Sequence, residues 1–422
     1  MSVETSLVSP EREESSADSD VLDVQETTCC IVGGGPGGAV LALLLARQGI
    51  PVMLLEAHED FDRDFRGDTL HPSVLEIMDA LGLADRLHKL RHTKISQFAF
   101  NTPEGSFPIG DFRRLKTKFP YIMMLPQEHF LEFITDEAKR HENFQLLMGA
   151  SAQELIVEDD VVRGVRYRSD RGTHEVRALL TIGADGRSSR VRRLAGFEPQ
   201  KTSPPMDIIW FRLPRKPTDP EGAFGRVSTG HILIRLDRMD EWQIGYVIPK
   251  GGWQRVRKAG LPALREAITD VLPEFPERVE HLQDWEQVAV LSVESSRCPR
   301  WYRPGLLLIG DAAHVMSPVG GVGINYAIQD AVAAANILSA PLKAGKVETD
   351  DLRKVQRERE FPTKFIQSLQ AVIQRRLIAE ALDTSKPFKF PLLMRLLLRI
   401  PILRNIPARL IAFGIRPARL KV

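Results

Sequence analysis

Glycines at fixed spacing are the first residues with chemical reach. Gly33, Gly35 and Gly38 fit G-x-G-x-x-G within Cys29-Cys30-Ile31-Val32-Gly33-Gly34-Gly35-Pro36-Gly37-Gly38, between a buried strand and the apolar run from Ala39 to Arg47. Gly33 permits the tight turn, Gly35 lets backbone approach a pyrophosphate, and Gly38 lets the following helix pack on the strand. Pro36 and Gly37 lie in the same turn, and the pyrophosphate would sit on the helix N-terminus. A second apolar strand, Val52 to Leu55, ends in Glu56, where an acid would bond a ribose hydroxyl. An acid there suits NAD or FAD and argues against the 2′-phosphate of NADP at this site.

A second stretch joins the buried strand Leu306 to Ile309 to Gly310-Asp311, then to the loop Ser317-Pro318-Val319-Gly320-Gly321-Val322 and an alanine-rich helix opened by Gly323-Ile324-Asn325. Asp311 stands at the carboxyl end of its strand, where parallel sheets bind ligands, and the helix N-terminus offers N–H groups and a positive dipole end. A third stretch closes a β-meander, Leu155 to Ala184, on Asp185-Gly186. In isolation Asp185 is a turn acid, and Arg66 in the loop His58 to Asp68 is a solvated charge. His314, in Gly310-Asp311-Ala312-Ala313-His314, reads as a packing or capping residue rather than a base.

The elements that must position these residues follow from periodicity. Leu75, Met78, Leu81 and Leu83 mark a helix after Pro72. Residues 95 to 125 read as strands, a helix runs from Gln127 to about His141, and Pro204 to Val293 is mostly β around a helix at Leu261 to Leu272. Met1 to Thr27, rich in Glu, Asp and Ser, reads as a disordered acidic tail. The chain has 422 residues, a formal charge of +2 and three cysteines. Its size implies more than one domain, its charge balance demands no nucleic acid, and its cysteines cannot build a disulfide framework. No signal peptide, bilayer-spanning run or metal site is read in it, so a cytoplasmic location is expected. Pro387 to Val422 interleaves Lys389, Arg395, Arg399, Arg404, Arg409, Arg416, Arg419 and Lys421 with apolar residues, cut by prolines. This stretch is expected to dock on the body as short helices, with peripheral contact to anionic lipid as its rival.

Together the three stretches resemble the FAD-dependent monooxygenases of the para-hydroxybenzoate hydroxylase type, the single-component aromatic hydroxylases, over about residues 28 to 345. The resemblance implies an α/β fold: a doubly wound, Rossmann-like FAD-binding domain (28–94, 126–202 and 295–345) interleaved with a β-rich substrate domain (95–125 and 203–294), followed by a helical segment (346–422). It implies that Gly33, Gly35, Gly38 and Glu56 hold the ADP half of bound FAD, and that Arg66 contacts the pyrophosphate region. Gln127 would touch the flavin. Asp185 would lie near the pyrophosphate in a motif linked to NAD(P)H use, and Asp311 would bind the ribityl chain. Pro318, Gly323, Ile324 and Asn325 would lie beside the isoalloxazine ring. The chain carries no second dinucleotide fingerprint, so NAD(P)H is expected as a transient co-substrate. Halogenases of this kind carry W-x-W-x-I-P, whereas Ile244 and Tyr246 stand before Ile248-Pro249 here.

The implied activity is NAD(P)H- and O2-dependent hydroxylation or epoxidation of an apolar or aromatic small molecule through a flavin C4a-hydroperoxide. A flavin-dependent reductase of the geranylgeranyl reductase kind is the alternative, and a flavin-bound protein without turnover a third. Arg212, His231, Arg235 and Tyr246 lie on the β-rich segment that should face the substrate, and each is expected to be structural rather than substrate-orienting.

Overall fold

The computed structural model describes residues 21–62, 67–219, 222–385, 388–392, 395, 400 and 405–421. Among them, the first sheet runs in the order Tyr302–Arg303, Leu306–Leu308, Gly172–Gly183, Val21–Val32, Val52–Leu55, Phe144–Leu147. Its central strands are parallel, with Cys29 opposite both Val52 and Leu180. Continuous apolar runs suit strands covered on both faces. The helix Pro36–Ala46 is correspondingly buried from Gly37 to Ala46, packed between this sheet and the helices Gln127–Ala138 and Gly323–Lys343. This is a doubly wound α/β architecture. The meander Ser151–Glu158, Val161–Ser169, Gly172–Gly183 extends it, turning at Asp159 and Asp160, both with positive φ. Cys29 and Cys30 are buried free thiols, and burial pushes the Cys30 thiol up to about 12.

The expected disordered tail is corrected at its end. The first strand begins at Val21, and Val24 to Thr27 pair in parallel with Glu175 to Ala178. Hydrophobic burial does not drive this: Leu22 and Val24 are 57% and 54% exposed. The segment is ordered by its backbone ladder and by a hydrogen bond between Asp23 and His174, terms that a composition argument omits. Residues 1–20 lie outside the described residues.

The second large sheet runs in the order Ala289–Leu291, Met206–Pro214, Glu241–Pro249, His231–Arg238, Ala223–Ser228, Gln97–Thr102, Gly105–Asp111. Period-two alternation gives it two distinct faces. On one, Phe211, Leu233, Trp242 and Ile244 pack under Leu264, Ile268 and Val279 of the helices Leu261–Val271 and Pro276–Val279. On the other, Met206, Ile208, Ile232 and Val247 meet Val319 and Ile378, Ala381, Leu382, Phe388 and Phe390. Ile95 and Ile122–Met124 leave this sheet for a three-stranded one with Thr69–Leu70.

The long helix Thr349–Ile373 packs on the alanine-rich helix and continues as a π-helical turn, Gln374–Ile378. Beyond it, the helix Asn405–Phe413 buries Ala408 and Ala412, and the last residues return along the alanine-rich helix through Ala418 N–H to Gln329 and Asn336 to the Arg419 carbonyl. These described parts of the C-terminal segment dock on the body. His71, fully buried, donates from Nδ1 to the Ile411 carbonyl at 2.6 Å. Burial pulls this imidazole down to about 4 from 6.5, against the raising effect of that bond. Between those values the unfolded chain holds the extra proton, so the stability from neutral His71 is complete above pH 6.5 and drains as pH falls toward 4. Denaturant melts should lose on the order of 2 kcal/mol between pH 7 and pH 5 from this group, and His71→Gln should remove that increment.

Candidate functional site

The glycine turn is fixed by close approach. Gly33 has φ 107°, and a Cβ there would lie 2.5 Å from the Ala184 carbonyl oxygen and 2.7 Å from Asp185 Cα. A Cβ on Gly38 would lie 2.0 Å from the Gly33 carbonyl oxygen, so the helix and the turn touch backbone to backbone. Gly35 differs, because a Cβ there meets nothing within 4 Å. It caps the helix Pro36–Ala46, Pro36 occupies the first turn, and no side chain caps those N–H groups. Open space before an uncapped helix N-terminus is an anion seat. Glu56, buried at the end of its strand, accepts from Gly34 N–H at 2.8 Å and His58 N–H at 3.1 Å, which holds its carboxylate over the turn.

Asp185 and Gly310-Asp311 converge on the same sheet edge. Asp185 is turned inward: it accepts from the Ser189 hydroxyl at 2.5 Å, and from Arg190 and Val191 N–H at 2.7 and 3.0 Å, capping the helix Arg190–Leu194. Arg192, which sequence reading missed, donates to the carbonyls of Arg187 and Ala312 at 2.7 and 3.0 Å and so ties this motif to the Gly310–Ala312 turn. Gly37 and Gly310 both press on Ala327 of the alanine-rich helix. That turn is pinned by Asp330, whose carboxylate accepts from Gly310 N–H at 3.0 Å, His314 Nε2 at 2.6 Å and Arg359 Nε at 2.8 Å. Burial alone would raise the Asp330 carboxyl, but His314 and Arg359 overcome it and hold it below its ordinary value. His314 is thus spent on the Asp330 carboxylate, with its ring against Trp301 at 4.9 Å.

The loop before the alanine-rich helix is equally constrained. Asn325 donates to the carbonyls of Thr69 and Gly321 and accepts from His71 N–H at 2.8 Å. Its amide therefore locks the loop rather than reaching into open space. Pro318 accepts from Gly321 N–H at 3.0 Å, while Gly323 opens the helix. Ile324 lies where a Cβ on Gly67 would be 3.3 Å from its Cδ1, so the 58–68 loop meets the helix start. Arg66 itself lies outside the described residues. Gln127 N–H donates to Asp68 at 3.2 Å, and Asp68 pairs with Arg238 at 3.1 Å. These three, with Phe61, His129 and Arg212, line a cavity of about 260 Å³. Gln127 and Arg212 were named from sequence, and Phe61 and Asp68 fall in the 58–68 loop, whereas Arg238 was not singled out.

Of the four polar residues noted on the β-rich segment, three lie on its helix-covered face. His231 Nδ1 meets Tyr246 Oη at 2.5 Å on the helix-covered face. Arg235 lies between the rings of Phe224 and Trp242, at 4.2 and 4.6 Å. Burial pushes the Tyr246 phenol up to about 12 and Arg235 down to about 10. These three side chains are spent on contacts within the fold, and the alternation of Trp242, Ile244, Tyr246 and Ile248 was the signal for the face they occupy. Arg212 lies on the other face.

Residues 26–364 match the FAD binding domain family. The chain belongs to this family, that of the FAD-dependent aromatic monooxygenases. A 6-methylpretetramide 4-monooxygenase from Streptomyces rimosus is similar at 33% identity over 91% of this chain and 91% of its own. A para-nitrophenol 4-monooxygenase from a Pseudomonas species is 27% identical over 77% and 81%. The crystal structure of p-nitrophenol 4-monooxygenase from Pseudomonas putida superposes with a TM-score of 0.74, covering 94% of this chain and 100% of that one, at 21% identity, a likeness of fold. The monooxygenase thus binds FAD and performs oxygen transfer, and the reductase alternative is not favoured. The contrast between its two glycines is testable: Gly38→Ala should cost about 1–3 kcal/mol or more of stability through overpacking, whereas Gly35→Ala should leave the melting temperature of the FAD-free protein unchanged.

Proposed function

We propose that this monooxygenase hydroxylates a planar aromatic substrate held against the face of the seven-stranded sheet that looks toward Val319, with NAD(P)H as transient reductant. The observation that carries this is the composition of that face. Phe100, Phe107, Ile109, Trp210 and Leu291 pack there only partly buried, beside the Ser317 to Val319 loop. Two glycines make the surface flat: a Cβ on Gly245 would lie 2.8 Å from the Trp210 ring, and one on Gly225 would lie 2.1 Å from the Phe100 ring. Both rings therefore lie across neighbouring strands, forming a broad apolar wall suited to a flat ring. The names of the relatives, a pretetramide and a nitrophenol monooxygenase, support an aromatic substrate.

The residues present fit FAD. The uncapped helix N-terminus at Gly35, Pro36, Gly37 and Gly38 would take the pyrophosphate, Glu56 the adenosine ribose, and Asp311 the ribityl hydroxyls. Pro318, Gly323 and Ile324 would border the ring. When bound, FAD takes reducing equivalents from NAD(P)H and activates O2 for insertion of one oxygen atom. The chain's own work is to orient: Asp330 and Arg192 hold Asp311 in place, Asn325 holds the loop, and the apolar wall excludes water. Arg212, in the cavity beside Gln127, presents a guanidinium for the phosphates of NAD(P)H, among the acids Asp62, Asp68 and Glu128 that also line it.

The test is turnover of a phenol panel with NAD(P)H under ¹⁸O₂, with one labelled oxygen expected in the product. NAD(P)H oxidation that no aromatic compound stimulates would refute the proposal. Asp311→Ala should weaken FAD binding about tenfold or more by removing a charged acceptor, read by equilibrium dialysis. Arg212→Ala should raise the KM for NAD(P)H on the order of tenfold while FAD content and kcat hold.

A further inference from the structure

The apolar wall is covered by the chain's own C-terminal strap, and the strap is fastened at two hairpin turns. At one, Gly230 N–H donates to the Ala381 carbonyl at 3.0 Å, and Gly230, with φ 81°, leaves room for Thr384. At the other, Glu104 accepts Phe390 N–H at 3.0 Å and pairs with Arg395. Arg395 donates back to the Phe390 carbonyl at 2.8 Å and lies 5.6 Å from the Phe107 ring. The Phe390 ring is stacked on Phe107, with centroids 4.1 Å apart and planes 3° apart. Glu104, Phe107, Phe390 and Arg395 therefore form one unit at the rim of the wall.

Two features set this unit apart from ordinary terminal packing. The fastening is electrostatic and solvent-facing, with Glu104 and Arg395 side chains 29% and 31% exposed, whereas the ring pair it closes is apolar and Phe390 itself is buried. A contact of that make opens at low cost. The strap is also continuous with the π-helical turn at Gln374–Ile378, a rare distortion that frequently marks functional positions. Directly before and within that turn, Gln370 donates to the carbonyls of Ser317 and Val319 at 2.9 and 2.8 Å, and Gln374 bonds the Ser317 hydroxyl. The strap and the loop expected beside the flavin ring thus hang on one helix end.

We propose that the described residues of the strap, 381–385, 388–392 and 395, are the gate of the substrate site, with Phe390 stacked on Phe107 as its closing face and the Glu104–Arg395 pair as its latch. A flat aromatic molecule enters by parting Phe390 from Phe107 and lies where Phe390 packs, against Phe107 and the Trp210 side of the wall. These two rings then set the size of ring system admitted. The inference rests on the reading of that sheet face as the substrate wall.

The test uses the FAD-loaded full chain and 2-naphthol as probe, with binding followed by perturbation of flavin absorbance in stopped flow, without NAD(P)H. Glu104→Ala should raise both association and dissociation rates on the order of tenfold with little change in Kd, because a latch sets the speed of opening rather than the bound contacts. In the unmodified enzyme the same rates should climb with added NaCl, which screens an exposed pair, and in Glu104→Ala they should be insensitive to salt. Phe390→Ala should admit 1-hydroxypyrene, which the parent excludes. Equal rates in parent and Glu104→Ala, or 2-naphthol binding to neither, would overturn the gate. Should Glu104→Ala lose its FAD, the salt dependence of the parent decides. Because no turnover is read, latch-controlled binding without hydroxylation would refute the proposed reaction and leave the gate standing, and the converse separates them equally.

Discussion

A carboxylate with no exposure to solvent, Asp330, holds three parts of the chain in one place. It is reached by the ring of His314 from a short strand, by the guanidinium of Arg359 from the long helix, and by the backbone N–H of Gly310 from the turn at the sheet edge. Arg359 lies against the Tyr326 ring at 5.5 Å, which gives its planar face a partner. A buried charge is tolerated only when its partners are all in position, and removing one costs about 3–5 kcal/mol. The aspartate side chain that would face the ribityl chain is the residue directly after Gly310. Its placement therefore depends on a charge that never meets the cofactor.

The same logic of buried restraint runs through the neighbouring loop. Asn325 spends its amide on three backbone groups, Arg192 on the carbonyls of two motifs, and Asp185 on the start of a short helix. The resemblance placed Asn325 and Asp185 at the cofactor and said nothing of Arg192, and each is a fastener. What is left to meet a cofactor is largely backbone: the N–H groups at Gly35 and the open start of the alanine-rich helix. Pre-set dipoles of this kind need no reorganisation on binding, which suits a site that must present one cofactor to two successive partners.

How much of this was legible follows from the range of the interactions. The glycine fingerprint, the meander and the buried strands are encoded by neighbours a few residues apart, and they appear where the spacing puts them. The Asp330 cluster joins residues separated by 16 and 29 positions, and His71 meets Ile411 across 340, so no window over the sequence reveals either. Val21 to Thr27 failed for another reason: its apolar residues face solvent, and a backbone ladder orders it. Gly225 and Gly245 read as ordinary strand glycines until the rings of Phe100 and Trp210 are seen crossing them. The helix Trp253–Ala259 was missed because it buries none of its residues, so no apolar stripe announces it.

The period of two in the strand Met206–Pro214 has a consequence for how such a protein can change. Ile209, Phe211 and Leu213 face the covering helices, while Ile208, Trp210 and Arg212 face the opposite side. With the substrate wall proposed above, neighbours in the chain answer to separate selective pressures, one set to folding and the other to what is bound. Drift in the outward-turned positions can alter chemical preference while the inward-turned set keeps the scaffold intact. A single strand of this kind lets a lineage explore new substrates without first having to rebuild its core.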